Sequence, residues 1–199
     1  MSFFSTGTSR YVLRLGPERS WPFTLVIGLL SLTMALLSIV SVPGVVGWLG
    51  IGLAELMLAI AVVDWRHFVI PDRLNAAAFL LGLAHAWFQS QEDIIVALAS
   101  ALTRGAVLAA AFWVLRVSYE CLRDREGLGF GDVKLAGVAG VWLGWLMLPV
   151  AVELAAVSAL AFYGLRQALL REPLSPTGRL PFGGFLAIAI WLSWIFENG

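Results

Sequence analysis

The sequence predicts an all-α, polytopic integral membrane protein: a helical bundle of about seven transmembrane segments, with six as the alternative count. Three observations carry this. Of the 199 residues, 60% are hydrophobic and 13% charged, about half the charged share of a soluble domain. The apolar residues fall into seven stretches, 21–41, 45–63, 74–88, 94–117, 133–148, 150–165 and 181–196. The basic residues between them alternate in a way that only a threaded chain explains. Helix is the fitting backbone, because an open sheet of seven segments would leave its edges unpaired in lipid.

Each element can be justified in order. Residues 1–20 form a short, polar, basic tail, with Arg10, Arg14 and Arg19 ahead of the first stretch. A signal peptide also begins this way, but the 21–41 run is too long for one and lacks a small-x-small cleavage site. It therefore reads as the first span, and residues 21–199 as one membrane-embedded domain. The turn from Ser41 to Gly47 is uncharged, and Arg66 and Arg73 follow the second stretch. The third, fifth and seventh stretches fall short of the ~20 residues of an upright span. The turn at 89–93 carries only acidic charge. Arg116, Arg123, Arg125 and Lys134 cluster between the fourth and fifth stretches, and the turn near Pro149 has no charge. Arg166, Arg171 and Arg179 separate the sixth from the seventh.

Twelve of the thirteen basic residues thus fall on one side, which the positive-inside rule assigns to the cytoplasm. The N-terminus lies there, the C-terminal Glu-Asn-Gly outside. Arg104 is the exception: near the outer end of the fourth stretch, it either pairs with Glu153 of the sixth or both chains snorkel separately. Thirteen acidic residues cancel thirteen basic ones, which argues against a nucleic-acid partner. The single cysteine, Cys121, excludes an internal disulfide and a multi-cysteine zinc site.

Two carboxylates on the cytoplasmic side stand out, because charge beside hydrocarbon is costly. Asp64 ends the second stretch, where the helix dipole disfavours negative charge; the structural alternative is a salt bridge to Arg66 or Arg73. Asp132 follows Gly127, Gly129 and Gly131 in Gly-Leu-Gly-Phe-Gly-Asp. It could cap the fifth helix, but capping does not explain glycines that permit close approach or positive φ. Asp72, after Ile70-Pro71 and before an apolar run, reads first as an N-cap. Lys134 either orients the site or follows the basic-inside bias. Asp132, Ala136, Gly140 and Gly144 recur every four residues, a small-residue stripe suited to close helix packing. Were the second span its partner, Asp132 would be carried toward Asp64. His67 and His85 are poor catalytic or metal candidates, no residues show metal-ligand spacing, and no cofactor motif occurs: Asp in place of Lys-Ser/Thr after Gly-Leu-Gly-Phe-Gly argues against a nucleotide loop.

At these motifs the chain resembles the bacterial type IV prepilin peptidases, intramembrane aspartyl proteases that share a GxGD signature with archaeal preflagellin peptidases and, more distantly, presenilin. The matching residues are Asp64 to Asp72 with the ending Ile70-Pro71-Asp72-Arg73-Leu74, then Arg125 to Leu135, Gly140 to Trp145, and Leu180 to Leu186. Where the family usually has Pro after the last motif's first Gly, this chain has Gly184.

The resemblance implies that Asp64 and Asp132 are the catalytic pair, one ionised as general base and one protonated to polarise the scissile carbonyl. The sequence leaves open which holds the proton. Asp72, Lys134, Gly129 and Gly131 are the supporting or substrate-binding candidates around them. It further implies a pilin-like or type II secretion pseudopilin precursor as substrate, cut between a basic leader and an apolar helix at the inner face of the bacterial cytoplasmic membrane. Long family members carry an insert with paired CxxC motifs, associated with methylating the new N-terminus. With one cysteine this chain resembles the short forms, so methyl transfer is not expected. Readings from other classes are a proton-coupled transporter, whose relay usually lies at mid-membrane, and a non-catalytic pilus or secretion assembly scaffold.

Overall fold

A computed structural model describes residues 20–90, 93–123, 127–170 and 181–199. Residues 1–19 of the expected 1–20 tail, with Arg125, Glu126, Arg171, Arg179 and Leu180, lie outside the described residues. The described chain forms seven helices, α1 Ser20–Ser41, α2 Val45–His67, α3 Asp72–Gln89, α4 Ile94–Arg123, α5 Phe130–Trp142, α6 Met147–Leu170 and α7 Phe182–Asn198. Four of them, α1, α2, α4 and α6, are long and apolar enough to cross a membrane.

Local chemistry sets most of the boundaries. Pro43 cannot continue a helix, and Gly44 turns the chain at φ 83, a region that glycine enters freely. Phe68 closes α2 in the left-handed region at φ 55, its N–H donating to Asp64 O at 2.8 Å. Pro71 forces Ile70 out of helical geometry and is itself the N-cap of α3. Asp93 caps α4, its Oδ1 accepting from Ile95 N–H and Val96 N–H at 2.8 and 3.2 Å.

Several helix ends depart from expectation: α2 runs four residues past 63, and α6 starts three before 150 and ends five past 165. α4 runs six residues past 117, supported by an Arg116–Glu120 pair at 2.8 Å one turn apart. α5 stops at Trp142 instead of reaching 148. The chain then turns through Gly144, whose N–H is held by both carboxylate oxygens of Glu197 at 2.9 and 3.0 Å. A new helix starts at Met147, with Pro149 in its first turn, where its missing N–H is harmless.

At 13 residues α5 is too short to span a bilayer, and nine of its residues are buried. That is the pattern of a core helix, not a lipid-facing one. It packs on α3, α4 and α7, while α7 also packs on α2 and α6. α1, α4 and α6 instead turn Leu25, Leu29, Leu102, Leu115, Leu160 and Leu169 outward. Buried indoles tie the centre. Trp142 Nε1 donates to Ala78 O at 2.8 Å, Trp194 Nε1 to His85 Nε2 at 3.1 Å, and Trp191 Nε1 to Ser38 Oγ at 3.0 Å. His85 is thus a buried core histidine.

Of the expected stripe of Asp132, Ala136, Gly140 and Gly144, Gly140 packs on α4, whereas Gly144 lies past the end of α5 against Glu197 and Asp132 faces α7. A Cβ on Gly140 would fall within 2.6 Å of the Arg104 and Gly105 backbones, and one on Gly105 would lie 2.9 Å from Gly137 O. α2 and α5 do not pack closely on one another. Arg104 belongs to the same seam. Its Nε donates to Gly140 O at 3.2 Å and its Nη1 to Ser100 Oγ at 2.7 Å, so it faces α5 and not the exposed Glu153.

Candidate active site

The C-terminus of α2 and the N-termini of α3, α5 and α7 gather at one end of the bundle. Asp64 sits in the last turn of α2, Asp132 in the first turn of α5. Both are buried, at 5% and 9% exposure. Among the described residues no ion pair accounts for Asp64: Arg66 lies over the Phe23 ring at 4.2 Å, and Arg73 is exposed. Instead the N–H of Gly184, in the first turn of α7, donates to Asp64 Oδ2 at 2.7 Å.

Asp132 is held locally. Its Oδ2 accepts from Gly129 N–H at 3.2 Å, and its own N–H donates to Gly129 O at 3.1 Å, closing a reciprocal loop at the helix start. Its Oδ1 is buried with no hydrogen-bond partner. One oxygen therefore does the structural work that the sequence allowed as an alternative, and the other is left for something else.

Gly183 shows where that oxygen points. A methyl carbon added there would lie 2.8 Å from Asp132 Oδ1 and 3.1 Å from Asp64 Oδ2, and would collide with Ile70 Cδ1. The sum of those two distances, 5.9 Å, is the largest separation the two oxygens can have. Two buried carboxylates facing one small volume cannot both ionise cheaply.

The glycines before Asp132 act through close approach alone. Gly44 is the one positive-φ glycine among the described residues, so left-handed backbone plays no part in this turn. A Cβ on Gly131 would lie 3.0 Å from Ile70 Cβ, and one on Gly129 3.0 Å from Asp132 Oδ2. Ile70 thus wedges against both Gly131 and Gly183, and sets their spacing.

Asp72 corrects its expected role. Pro71 is the N-cap of α3, with no side-chain cap, and Asp72 is the first helical residue. Its carboxylate pairs with Lys134 Nζ at 2.6 Å and is largely exposed. Lys134 also lies over the Phe130 ring at 5.0 Å. The pair links α3 to α5 beside the site and does not enter it. His67 is exposed. Next to Asp64, Trp65, Phe162 and Phe185 form an aromatic group, their ring centroids 5.1 to 6.1 Å apart. Gly183 and Gly184 carried no assigned role in the sequence reading. Their only signal was membership of the Leu180–Leu186 motif, since a residue without a side chain offers no chemistry to read.

The type IV leader peptidase family matches this sequence over residues 51–165. The chain belongs to that family. The prepilin leader peptidase/N-methyltransferase of Aeromonas hydrophila is 30% identical over 177 residues, covering 85% of this chain and 58% of that protein. Those of Stutzerimonas stutzeri and Pseudomonas aeruginosa are each 32% identical, over 146 and 142 residues, covering 71% of this chain and 47% of each relative. The chain therefore spans about half the length of the curated relatives it matches. No solved structure matches it.

Proposed function

We propose that this protein is an aspartic endopeptidase that removes the short basic leader from prepilin-like precursors, type IV pilins or type II secretion pseudopilins, at the cytoplasmic face of the bacterial inner membrane. One observation carries the reading: an oxygen of Asp64 and an oxygen of Asp132 both face the space beside Gly183. In that space the ionised carboxylate takes a proton from water, and the protonated one donates to the scissile carbonyl oxygen. The proton then passes to the leaving amine, and the pair returns to its singly protonated state. Hydrolysis by this route needs no cofactor.

The substrate assignment draws on the family and on the relatives' names. The leader's basic residues stay in the cytoplasm, and the apolar helix behind them packs laterally against the bundle, with Trp65, Phe162 and Phe185 an apolar surface beside Asp64. Residues 1–20 form the tail and 21–199 the peptidase domain. Methyl transfer, named for the relatives, is not carried over to a sequence whose one cysteine is Cys121.

Incubating the purified chain in detergent with a prepilin tests this. Mass spectrometry should show the precursor shortened by its leader, and with S-adenosylmethionine present no added methyl on the new N-terminus. An uncut precursor would sink the peptidase reading, and a methylated product the exclusion of methyl transfer.

A further inference from the structure

We propose that Gly184 is a positioning residue whose backbone N–H makes Asp64 the charged member of the pair and leaves the shared proton on Asp132. What that charge does in catalysis rests on the peptidase reading; where it sits does not.

The argument starts from unequal surroundings. A donated hydrogen bond favours the ionised form of a carboxyl group, and charge-assisted N–H···O bonds cluster at about 2.7–2.9 Å. The Gly184 bond to Asp64 is 2.7 Å long, and the Gly129 bond to Asp132 is 3.2 Å. Gly184 also belongs to the first turn of α7, where N–H groups carry partial positive charge; its N–H is shared with Pro181 O at 3.2 Å, and the shorter bond is the one to Asp64. Asp132 gains some of the same help from α5, but its Oδ1 has no donor at all. A buried carboxylate oxygen without a donor is costly. The same oxygen bearing a proton can instead donate across the space beside Gly183 toward Asp64.

Among the described residues no other charge settles the matter. α1 carries none over residues 20–41. On α2, Arg66 turns to Phe23, and Glu55 accepts from Ser31 several turns away. Asp72 of α3 and Lys134 of α5 pair with each other, Arg73 is exposed, and Arg116 of α4 pairs with Glu120. On α6, Tyr163 contacts Phe162 and Arg166 is exposed. On α7, Glu197 sits at the far end with Gly144. A proline, which the family resemblance leads one to expect at position 184, would have no N–H to give.

Infrared titration of the carboxyl C=O band, with the Asp64→Asn/Asp132→Asn double variant as baseline, reads each group alone and needs no substrate. Asp64, isolated in Asp132→Asn, should take up its proton at least about one pH unit lower than Asp132 isolated in Asp64→Asn, the size of one hydrogen bond to a charge. Equal or reversed midpoints would overturn the proposal, and this comparison stands even if position 184 tolerates no substitution. In cleavage assays, Gly184→Pro should move the acid limb of the kcat profile to higher pH by a similar amount, because ionised Asp64 is the required form and has lost its donor. Gly184→Ala keeps the N–H, and its methyl meets nothing closer than 3.5 Å, so it should keep the wild-type limb whatever its rate. An unmoved limb in Gly184→Pro, or an equal shift in Gly184→Ala, would count against the N–H. Failure of the wild type to cut any precursor would bear on the peptidase reading alone, with the infrared midpoints still deciding the position of the charge.

Discussion

A buried carboxylate at the end of a membrane helix must be held by something, and in this protein both are held by glycine backbone. Asp64 and Asp132 each have one oxygen on an N–H and are 5% and 9% exposed. On the proposed mechanism, changing either to Asn removes the base or the acid, and cleavage should fall by at least the ~10²–10⁴-fold that general acid–base groups contribute. Circular dichroism should show both variants still helical. Asp72→Asn loses an exposed ion pair with Lys134 worth about 0.2–1 kcal/mol and should keep most activity, measured as the leader-cleavage rate. Gly183→Ala pushes a methyl among Asp64, Asp132 and Ile70. Displacing the pair by an ångström can cost ~10²-fold, so a wild-type rate in this variant would mean that the two carboxylates do not meet at Gly183. The aspartates were legible because charge beside hydrocarbon demands a reason. Gly129 and Gly131 were legible as close-approach glycines, but Gly184 was not, because its bond to Asp64 exists only once a helix 120 residues away has brought Asp64 to it.

Among the elements, helix boundaries are legible in the sequence where breakers act locally. Pro43-Gly44 and Pro71 end or start helices by their own backbone chemistry, so those boundaries stood. The end of α5 was not legible, because the Leu143-to-Leu146 segment contains no proline and reads as continuous apolar helix. The Gly144–Glu197 contact that accompanies the break is tertiary. Of the expected stripe Gly140 does pack closely, but small residues do not name their partner: α4 supplies Gly105 opposite Gly140 and Ala109 opposite Gly137. This seam makes its own prediction. Gly140→Ala forces a methyl into the Arg104–Gly105 backbone, which cannot rotate aside, so unfolding in detergent should show a loss of about 1–3 kcal/mol. Gly28→Ala and Gly164→Ala meet nothing within 4 Å and should be neutral or stabilising by about 0.5–1 kcal/mol, as for alanine replacing glycine in a helix interior. Equal effects at all three positions would remove the seam as a determinant of stability.

At the scale of the whole molecule, the two ends of the bundle differ in kind. One end gathers the aspartates, the Asp72–Lys134 pair and the arginines of α2 and α3. The other is closed by neutral and acidic contacts, Gln89 Nε2 to Asn198 Oδ1 at 2.6 Å and Gly144 N–H to Glu197. If positive charge stays inside, the aspartate end faces the cytoplasm. α4 extends that side: its 30 residues make about 45 Å of helix against a hydrocarbon core of about 30 Å. Its last turns therefore stand clear of the lipid and carry the sequence's one cysteine, exposed Cys121, with them. The native thiol thus serves as a topology probe. In intact cells a membrane-impermeant maleimide should leave the wild-type protein unlabelled, and should label it once the inner membrane is opened. In a Cys121→Ser background, Leu146→Cys places a thiol on the exposed turn between α5 and α6 at the opposite end, and this variant should react in intact cells. Labelling of Cys121 from outside would invert the bundle. The dyad would then face the wrong compartment for a leader that never leaves the cytoplasm, and the proposed substrate would fall with the topology.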